Sequence, residues 1–246
     1  MKLFIIRHAQ SENNVHEGQD YETYMRNRVV DPSITPLGFK QADRVAQHLA
    51  AQEHAEHAHE NDETNTGYRF THLFASPMLR CLQTALPISK ALNLAPEVWV
   101  DIHEQGGMFI GNPRTGENLR FFPGLTRREI ESNFAGYRLP EAVADSGWWT
   151  GGHEEHAQCE ERAQRVADHL RKMALELPEG RVAIVSHGTF SDRLVKALIG
   201  LPTNTQKCYF SHYNTAITRV DFWGEGNASV RFTNRTQHLP PELVSM

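Results

Sequence analysis

Cysteine is scarce in this chain: Cys81, Cys159 and Cys208 are few, odd in number and far apart. That excludes a disulfide framework and fits reduced thiols in a cytoplasm. Apolar runs are short as well. The "LFII" at residues 3–6 is too brief for the apolar part of a signal peptide. Nothing approaches the roughly 20 apolar residues of a membrane span. The sequence therefore predicts a cytoplasmic protein with no membrane partner. Long basic runs are also missing, and the net charge is -5, so nucleic acid is not an expected partner. An anionic ligand would have to be drawn by local positive charge.

What is present alternates between strand-like and helix-like segments. After "LFII" and a polar loop comes "ITPLGFKQADRVAQHLA". There Thr35 suits an N-cap and Pro36 a first helical position. Phe39, Ala42, Val45, Ala46 and Leu49 fall on one helical face. "YRFTHLFAS" reads as a second strand, "SPMLRCLQTALPISKAL" as a helix with Ser76 as cap and Pro77 at its first position, and "EVWVDI" as a short third strand. A brief helix signal follows Thr126, and a longer one runs through Ala163, Val166, Ala167, Leu170, Ala174 and Leu177. "RVAIVSHG" is an apolar strand, and Phe190, Leu194, Val195, Leu198 and Ile199 mark the next helix. "TAITRVDF" and "SVRFTN", either side of "WGEGN", predict an antiparallel hairpin.

This order predicts a layered α/β fold whose central sheet is mostly parallel with an antiparallel edge. A single domain over residues 1–246 is expected. Two stretches break the alternation. Residues 52–66 are polar and of low complexity, and predict a mobile loop. Residues 105–155 form a lid-like insertion of the kind that covers a site.

Open α/β sheets bind ligands at the carboxyl ends of their strands. Arg7 and His8 follow the first strand, Glu104 comes just past the third, and His187 follows "VAIVS". Arg80 adds a guanidinium in the first turn of its helix, near the positive dipole end. Two arginines, two histidines and a helix N-terminus make a pocket for a tetrahedral dianion, because guanidinium forks match phosphate oxygens in pairs. One carboxylate stands beside them.

Taken together, these segments resemble the histidine phosphatase superfamily, the phosphoglycerate-mutase-like proteins. "RHAQSENN" (against Arg-His-Gly-x-Ser-x-x-Asn), "DPSITPLGFKQA", "SPMLRCLQTA", the glutamate of "HEQGG", and "SHGTF" recur in the family's order. The resemblance implies a three-layer α/β/α sandwich with His8 as a nucleophile that becomes a phosphohistidine. It implies that Arg7, Arg80 and His187 hold the phosphoryl oxygens, and that Glu104 protonates the leaving oxygen and then helps water attack. Asn14, Ser11 and Gly188 become substrate-binding candidates. No metal and no cofactor are implied, and the partner is a small phosphorylated substrate.

The chemistry agrees. Histidine attacks through a neutral nitrogen, and neighbouring arginines depress its pKa below the usual 6.5 or so. Phosphoryl transfer needs alignment and charge stabilisation, and a positioned acid adds about 10²–10⁴-fold. Ala9 stands where the family usually has glycine. Alanine takes a negative φ without strain, so only a slightly narrower pocket is expected.

The insertion carries Arg114, Arg120, Arg127, Arg128 and Arg138 with Trp148 and Trp149. One or two arginines are candidates for a second anionic group of the substrate. Most are expected to pair with Glu117, Glu129 and Glu131, and the tryptophans to pack the insertion on the core. His54, His57 and His59 lie among carboxylates with no rigid support for a metal. "HEEH" at 153–156 spaces its histidines by three, not by the four of the zinc-protease helix.

The expected function is a metal-independent phosphatase. The nearest alternative is a phosphoglycerate mutase, which returns the phosphoryl group to its substrate. Mutases of this family follow the glutamate with an Arg-His-Tyr-Gly stretch, where this chain has "QGGMFIGNPRTG". A non-catalytic phospho-ligand binding module would lack the nucleophile or the acid, and a metal hydrolase would be stopped by a chelator. The sequence leaves the substrate and the oligomeric state open.

Overall fold

Leu3, Phe4, Ile5 and Ile6 are 0–3% exposed, so the first strand is buried on both faces. In the computed structural model, which describes residues 1–16, 18–51, 68–202 and 208–246, the elements run as follows. They are β1 (Lys2–Arg7), α1 (Tyr21–Asn27), α2 (Pro36–Ala51), β2 (His72–Ala75), α3 (Leu79–Leu92) and β3 (Glu97–Val98). Then come β4 (Phe109–Ile110), β5 (Arg120–Phe121), α4 (Arg127–Asn133) and α5 (His156–Glu176). The chain ends with β6 (Arg181–Ser186), α6 (Gly188–Leu198), β7 (Ile217–Trp223) and β8 (Asn227–Arg235).

β1 lies in a six-stranded sheet of order β3-β2-β6-β1-β7-β8. It pairs in parallel with β6, from Lys2 opposite Arg181 to Arg7 opposite Ser186. On its other side it pairs antiparallel with β7. β3, β2, β6 and β1 are parallel, and β7 and β8 form the antiparallel edge, as the sequence predicts.

Strand periodicity divides the core. Phe4 and Ile6 face α2 and α3 through Val45, Leu49, Leu82 and Ile88. Leu3 and Ile5 face α5 and α6 through Val166, Leu170, Phe190 and Leu194. Each such buried side chain contributes about 1.5–3 kcal/mol. After β1 the chain moves through α2 toward β2 and β3. After β6 it moves through α6 to β7, the other way. The direction of winding therefore switches between β1 and β6, where the carboxyl ends of two strands leave a crevice.

Several local expectations hold. Thr35 caps α2 by accepting the Gly38 amide at 3.0 Å, and Thr126 caps α4 in a reciprocal pair with Glu129. Others need correction. Phe39 is 50% exposed, outside the buried face of α2. α3 starts at Leu79 with Met78 as its cap: Asp31 Oδ1 accepts the Leu79 amide at 3.0 Å, while the Ser76 hydroxyl meets His187 and accepts the Met78 amide, before the helix begins, at 3.4 Å. "EVWVDI" keeps only two residues of strand. Past the Trp99 amide, which donates to Ala75, it tightens into a 3₁₀ turn, Val100–Ile102. α1 had no signal in the apolar pattern, since none of its residues is buried. The expected loop at 52–66 lies outside the described residues.

Candidate active site

The parallel register of β1 and β6 sets His8 and His187 side by side. The His8 amide donates to the Ser186 carbonyl at 2.8 Å, and the two rings stand 5.3 Å apart. His8 Nδ1 lies 2.7 Å from the Ala9 carbonyl oxygen. A ring nitrogen facing a carbonyl must carry the proton, which leaves Nε2 of the neutral ring with its lone pair. Burial, then Arg80, then Arg7 hold the His8 pKa well below its ordinary 6.5. Burial and Arg80 do the same for His187, whose Nε2 sits 2.8 Å from Ser76 Oγ and 3.4 Å from Cys81 Sγ. Both imidazoles are neutral at pH 7.

Arg7 is anchored by Nη1 donating to the His212 carbonyl at 2.7 Å. The guanidinium lies against the start of α6, where a Cβ on Gly188 would only touch Arg7 Nε at 3.4 Å, an ordinary contact. The Arg80 Nη1 is 3.8 Å from Asp31 Oδ1, so one carboxylate both caps α3 and faces Arg80. Burial pushes the Asp31 carboxyl up to about 6, with Arg80 opposing. Thr84 ties the two segments together, donating to the Arg80 carbonyl at 2.6 Å and accepting the Ala9 amide at 3.0 Å. Ala9 is fully buried and outside the left-handed region, so alanine carries no backbone strain there.

Glu104 reaches the first turn of α6. Its Oε1 accepts the Phe190 amide at 2.9 Å and its Oε2 the Thr189 amide at 3.2 Å. A carboxyl group suits this position, at the positive end of the helix dipole. Gly106 and Gly107, at φ +92° and +71°, turn the chain immediately afterwards, and a Cβ at 107 would strike the Trp149 ring. Behind Glu104 stands Arg162. It donates to the Asp101 and His103 carbonyls at 2.7 and 2.9 Å and pairs at two points with Glu154, at 2.7 and 2.6 Å.

The other two expected contacts brace one another. Asn14 Oδ1 accepts from the Ser11 amide at 2.9 Å and the Ser11 hydroxyl at 3.0 Å. It also receives Asn214 Nδ2 at 3.3 Å, and that same amide group donates to the His8 carbonyl at 3.2 Å. Arg7, His8, Arg80, Glu104, His187 and Gly188 thus converge at the β1–β6 crevice, with Ser11 and Asn14 shaping its loop.

Sequence reasoning passed over several groups that hold this arrangement. Asp31 stood inside a quoted motif, but an Asp before Pro reads first as a turn. Arg162 had a usable signal, a charge on the apolar face of α5 between Cys159 and Val166. Arg28, the C-cap of α1, stacks its Cζ 3.8 Å over the Phe109 ring. Arg80 and Glu104 are among the charges that act on it.

In the 105–155 segment Trp148 is buried and Trp149 packs beside it, as expected. Arg127 pairs with Glu131 at 3.4 Å. Arg114 instead stacks 3.8 Å over Tyr21, and Asn112 donates to the Glu22 carboxylate at 2.9 and 3.1 Å, so this segment grips α1. In "HEEH", Glu154 belongs to Arg162 and His153 to Glu155. His54, His57 and His59 lie outside the described residues. Among the described residues no three or more His, Cys, Asp or Glu side chains are grouped to hold a metal ion.

Guanidinium groups and neutral imidazoles thus stand together at the winding switch of an α/β sheet. Residues 3–235 match the histidine phosphatase superfamily (branch 1), and the chain belongs to that family. Among curated relatives, phosphoglycerate mutase-like protein 1 of Arabidopsis thaliana is 31% identical over 86 residues, 35% of this chain and 26% of that protein. Fructose-2,6-bisphosphatase TIGAR of Xenopus tropicalis is 27% identical over 96 residues, 39% and 27% of the two chains. The matched stretch spans about a quarter of the length of these relatives.

Among solved structures, a mycobacterial glucosyl-3-phosphoglycerate phosphatase with VO3 gives a TM-score of 0.59 at 19% identity, covering 96% of this chain and 99% of the other. A phosphoserine phosphatase from Entamoeba histolytica, in complex with 3-phosphoglyceric acid, gives 0.58 at 21%, covering 97% and 99%. At such identities the likeness is one of fold.

Proposed function

We propose that the chain is a metal-independent phosphatase that hydrolyses small phosphomonoesters through a phosphohistidine on His8. The observation that carries this reading is the contact between His8 Nδ1 and the Ala9 carbonyl, from which the tautomer of His8 follows. Its Nδ1 is committed to the Ala9 carbonyl, which leaves a neutral Nε2 as nucleophile among Arg7, Arg80 and His187.

In this reading the guanidinium groups of Arg7 and Arg80, with His187, take the phosphoryl oxygens. His8 Nε2 bonds to phosphorus as the ester P–O bond breaks, and Glu104 gives its proton to the departing alkoxide. A water then attacks phosphorus, Glu104 takes the water's proton, and the P–N bond breaks to free His8 and inorganic phosphate. The sum is ester plus water to alcohol plus phosphate. Fixed cations supply the charge stabilisation, and Glu104 supplies about 10²–10⁴-fold. Ser11 and Asn14 keep the loop in place, and Gly188 stands beside Arg7. Names of structural neighbours, phosphatases of phosphoserine and of glucosyl-3-phosphoglycerate, support the same class.

The test is hydrolysis of an aryl phosphate in excess chelator. Wild type keeps its activity, and His8→Ala loses it by about 10⁴-fold or more. Hydrolysis that persists in His8→Ala contradicts the proposal.

A further inference from the structure

Arg28 has no carboxylate of its own. Among the described residues it forms no hydrogen bond and no ion pair, and its Nε–H is buried without an acceptor. Glu22 and Asp31, the acidic residues that flank it along the chain, and Glu104, whose charge acts on it, are committed elsewhere. Glu22 takes Asn112, Asp31 takes the Leu79 amide and faces Arg80, and Glu104 takes the amides of α6. A half-buried guanidinium without a partner is unfavourable, and a bound anion would relieve it.

Its geometry is also fixed. The Cζ sits 3.8 Å over the Phe109 ring, a cation–π stack that sets the guanidinium plane and leaves its N–H edge for in-plane acceptors. Arg28 lies three residues before Asp31. Phe109 lies five residues after Glu104. Arg80 and Glu104 are both among the charges that act on it, so the arginine stands beside the crevice.

We propose that Arg28 recognises a second anionic group of the substrate, a carboxylate or another phosphoryl group a few bonds from the scissile ester. The enzyme then selects phosphomonoesters that carry this extra charge over those that end in neutral groups. This inference rests on the phosphatase reading for the position of the scissile ester. It assigns to the α1 loop the role that the sequence suggested for arginines of the 105–155 segment.

Binding to His8→Ala, measured by calorimetry, tests it without turnover. The probes are matched pairs: 3-phosphoglycerate against glycerol 3-phosphate for a carboxylate, and fructose 1,6-bisphosphate against fructose 6-phosphate for a second phosphoryl group. The doubly anionic member of at least one pair binds about tenfold or more tighter, the worth of one charge-assisted contact. Which pair discriminates tells which anion is read. Adding Arg28→Gln collapses that ratio, and Arg28→Lys, which keeps the charge without the fork, leaves part of it.

Equal affinities within both pairs, including no binding of either member, overturn the proposal; this comparison needs no Arg28 variant. So does a ratio that survives Arg28→Gln, or a uniform loss in both members, which would make Arg28 one more phosphoryl contact. Wild-type turnover of the same probes separates the two readings. Discrimination without hydrolysis overturns the phosphatase and leaves Arg28 its role, and hydrolysis without discrimination does the reverse.

Discussion

The Nδ1 atom of His8 lies 2.7 Å from the carbonyl oxygen of its neighbour Ala9. This contact fixes which nitrogen carries the proton, and burial, with Arg80 and Arg7 nearby, keeps the ring neutral. Nitrogen-15 spectra of labelled imidazole should therefore report the Nδ1–H form of His8 at neutral pH and show no protonation between pH 7 and 6. An Nε2–H form, or a ring that titrates near its ordinary 6.5, would contradict the tautomer argument.

Asp31 is a positioning residue for Arg80. It caps α3 at Leu79 and stands 3.8 Å from the guanidinium. Asp31→Ala should lower stability by about 0.5–2 kcal/mol through the lost cap. It should also raise KM for an aryl phosphate, as Arg80 loses its orientation. Asp31→Asn keeps a cap acceptor and should restore stability more fully than KM. If both recover together, the role is only structural.

Arg162 is buried with Glu154 and holds the backbone just before Glu104. Arg162→Met leaves a buried carboxylate without its partner and should cost about 3–5 kcal/mol in a denaturant titration. The double change Arg162→Met with Glu154→Leu should recover much of that, as the carboxylate is removed. It should not recover kcat, because Glu104 loses its support. Full recovery of kcat would show that Arg162 has no part in placing Glu104.

Stability should fall on acidification. Burial and Arg162 lower His103 to about 3, and burial and Arg7 lower His212 to about 4. The unfolded chain takes up protons on these rings below about 6.5 that the native chain refuses, so stability present above that pH is lost as pH falls toward 4. Each ring contributes a slope of about 1.4 kcal/mol per pH unit. His8 and His187 act in the same direction. Asp31, raised to about 6, opposes them, since the native chain takes up its proton first. One carboxyl against several imidazoles leaves a net loss. Urea titrations at pH 7, 6 and 5 should show it, and a flat profile would contradict it.

Much of this architecture was legible in the sequence because its signals are local. The "LFII" run and the period-two hairpin near the chain's end mark strands by burial pattern, and Thr35 and Thr126 mark helix starts by side-chain chemistry. Arg7, His8, Arg80 and His187 were legible because each adjoins an element end that can be read along the chain. The rest depends on partners distant in sequence. Ser76 is a plausible cap, but in the fold its hydroxyl meets His187 and accepts the Met78 amide, before the helix begins, and Asp31 becomes a cap only when the chain brings it to Leu79. Arg28 carries no pattern at all, since its stacking on Phe109 is created by the fold.

The claim at the centre is a bond between phosphorus and His8, so the adduct itself is the most direct measurement. Glu104→Gln, whose hydrolytic step should be slowed, would be mixed with an aryl phosphate, whose phenolate leaves without a general acid, quenched in alkali and digested for mass spectrometry. The predicted result is an acid-labile phosphoryl group on the peptide that contains His8, absent from His8→Ala. No phosphoryl group at His8 while hydrolysis proceeds, or equal labelling of His8→Ala, would contradict it.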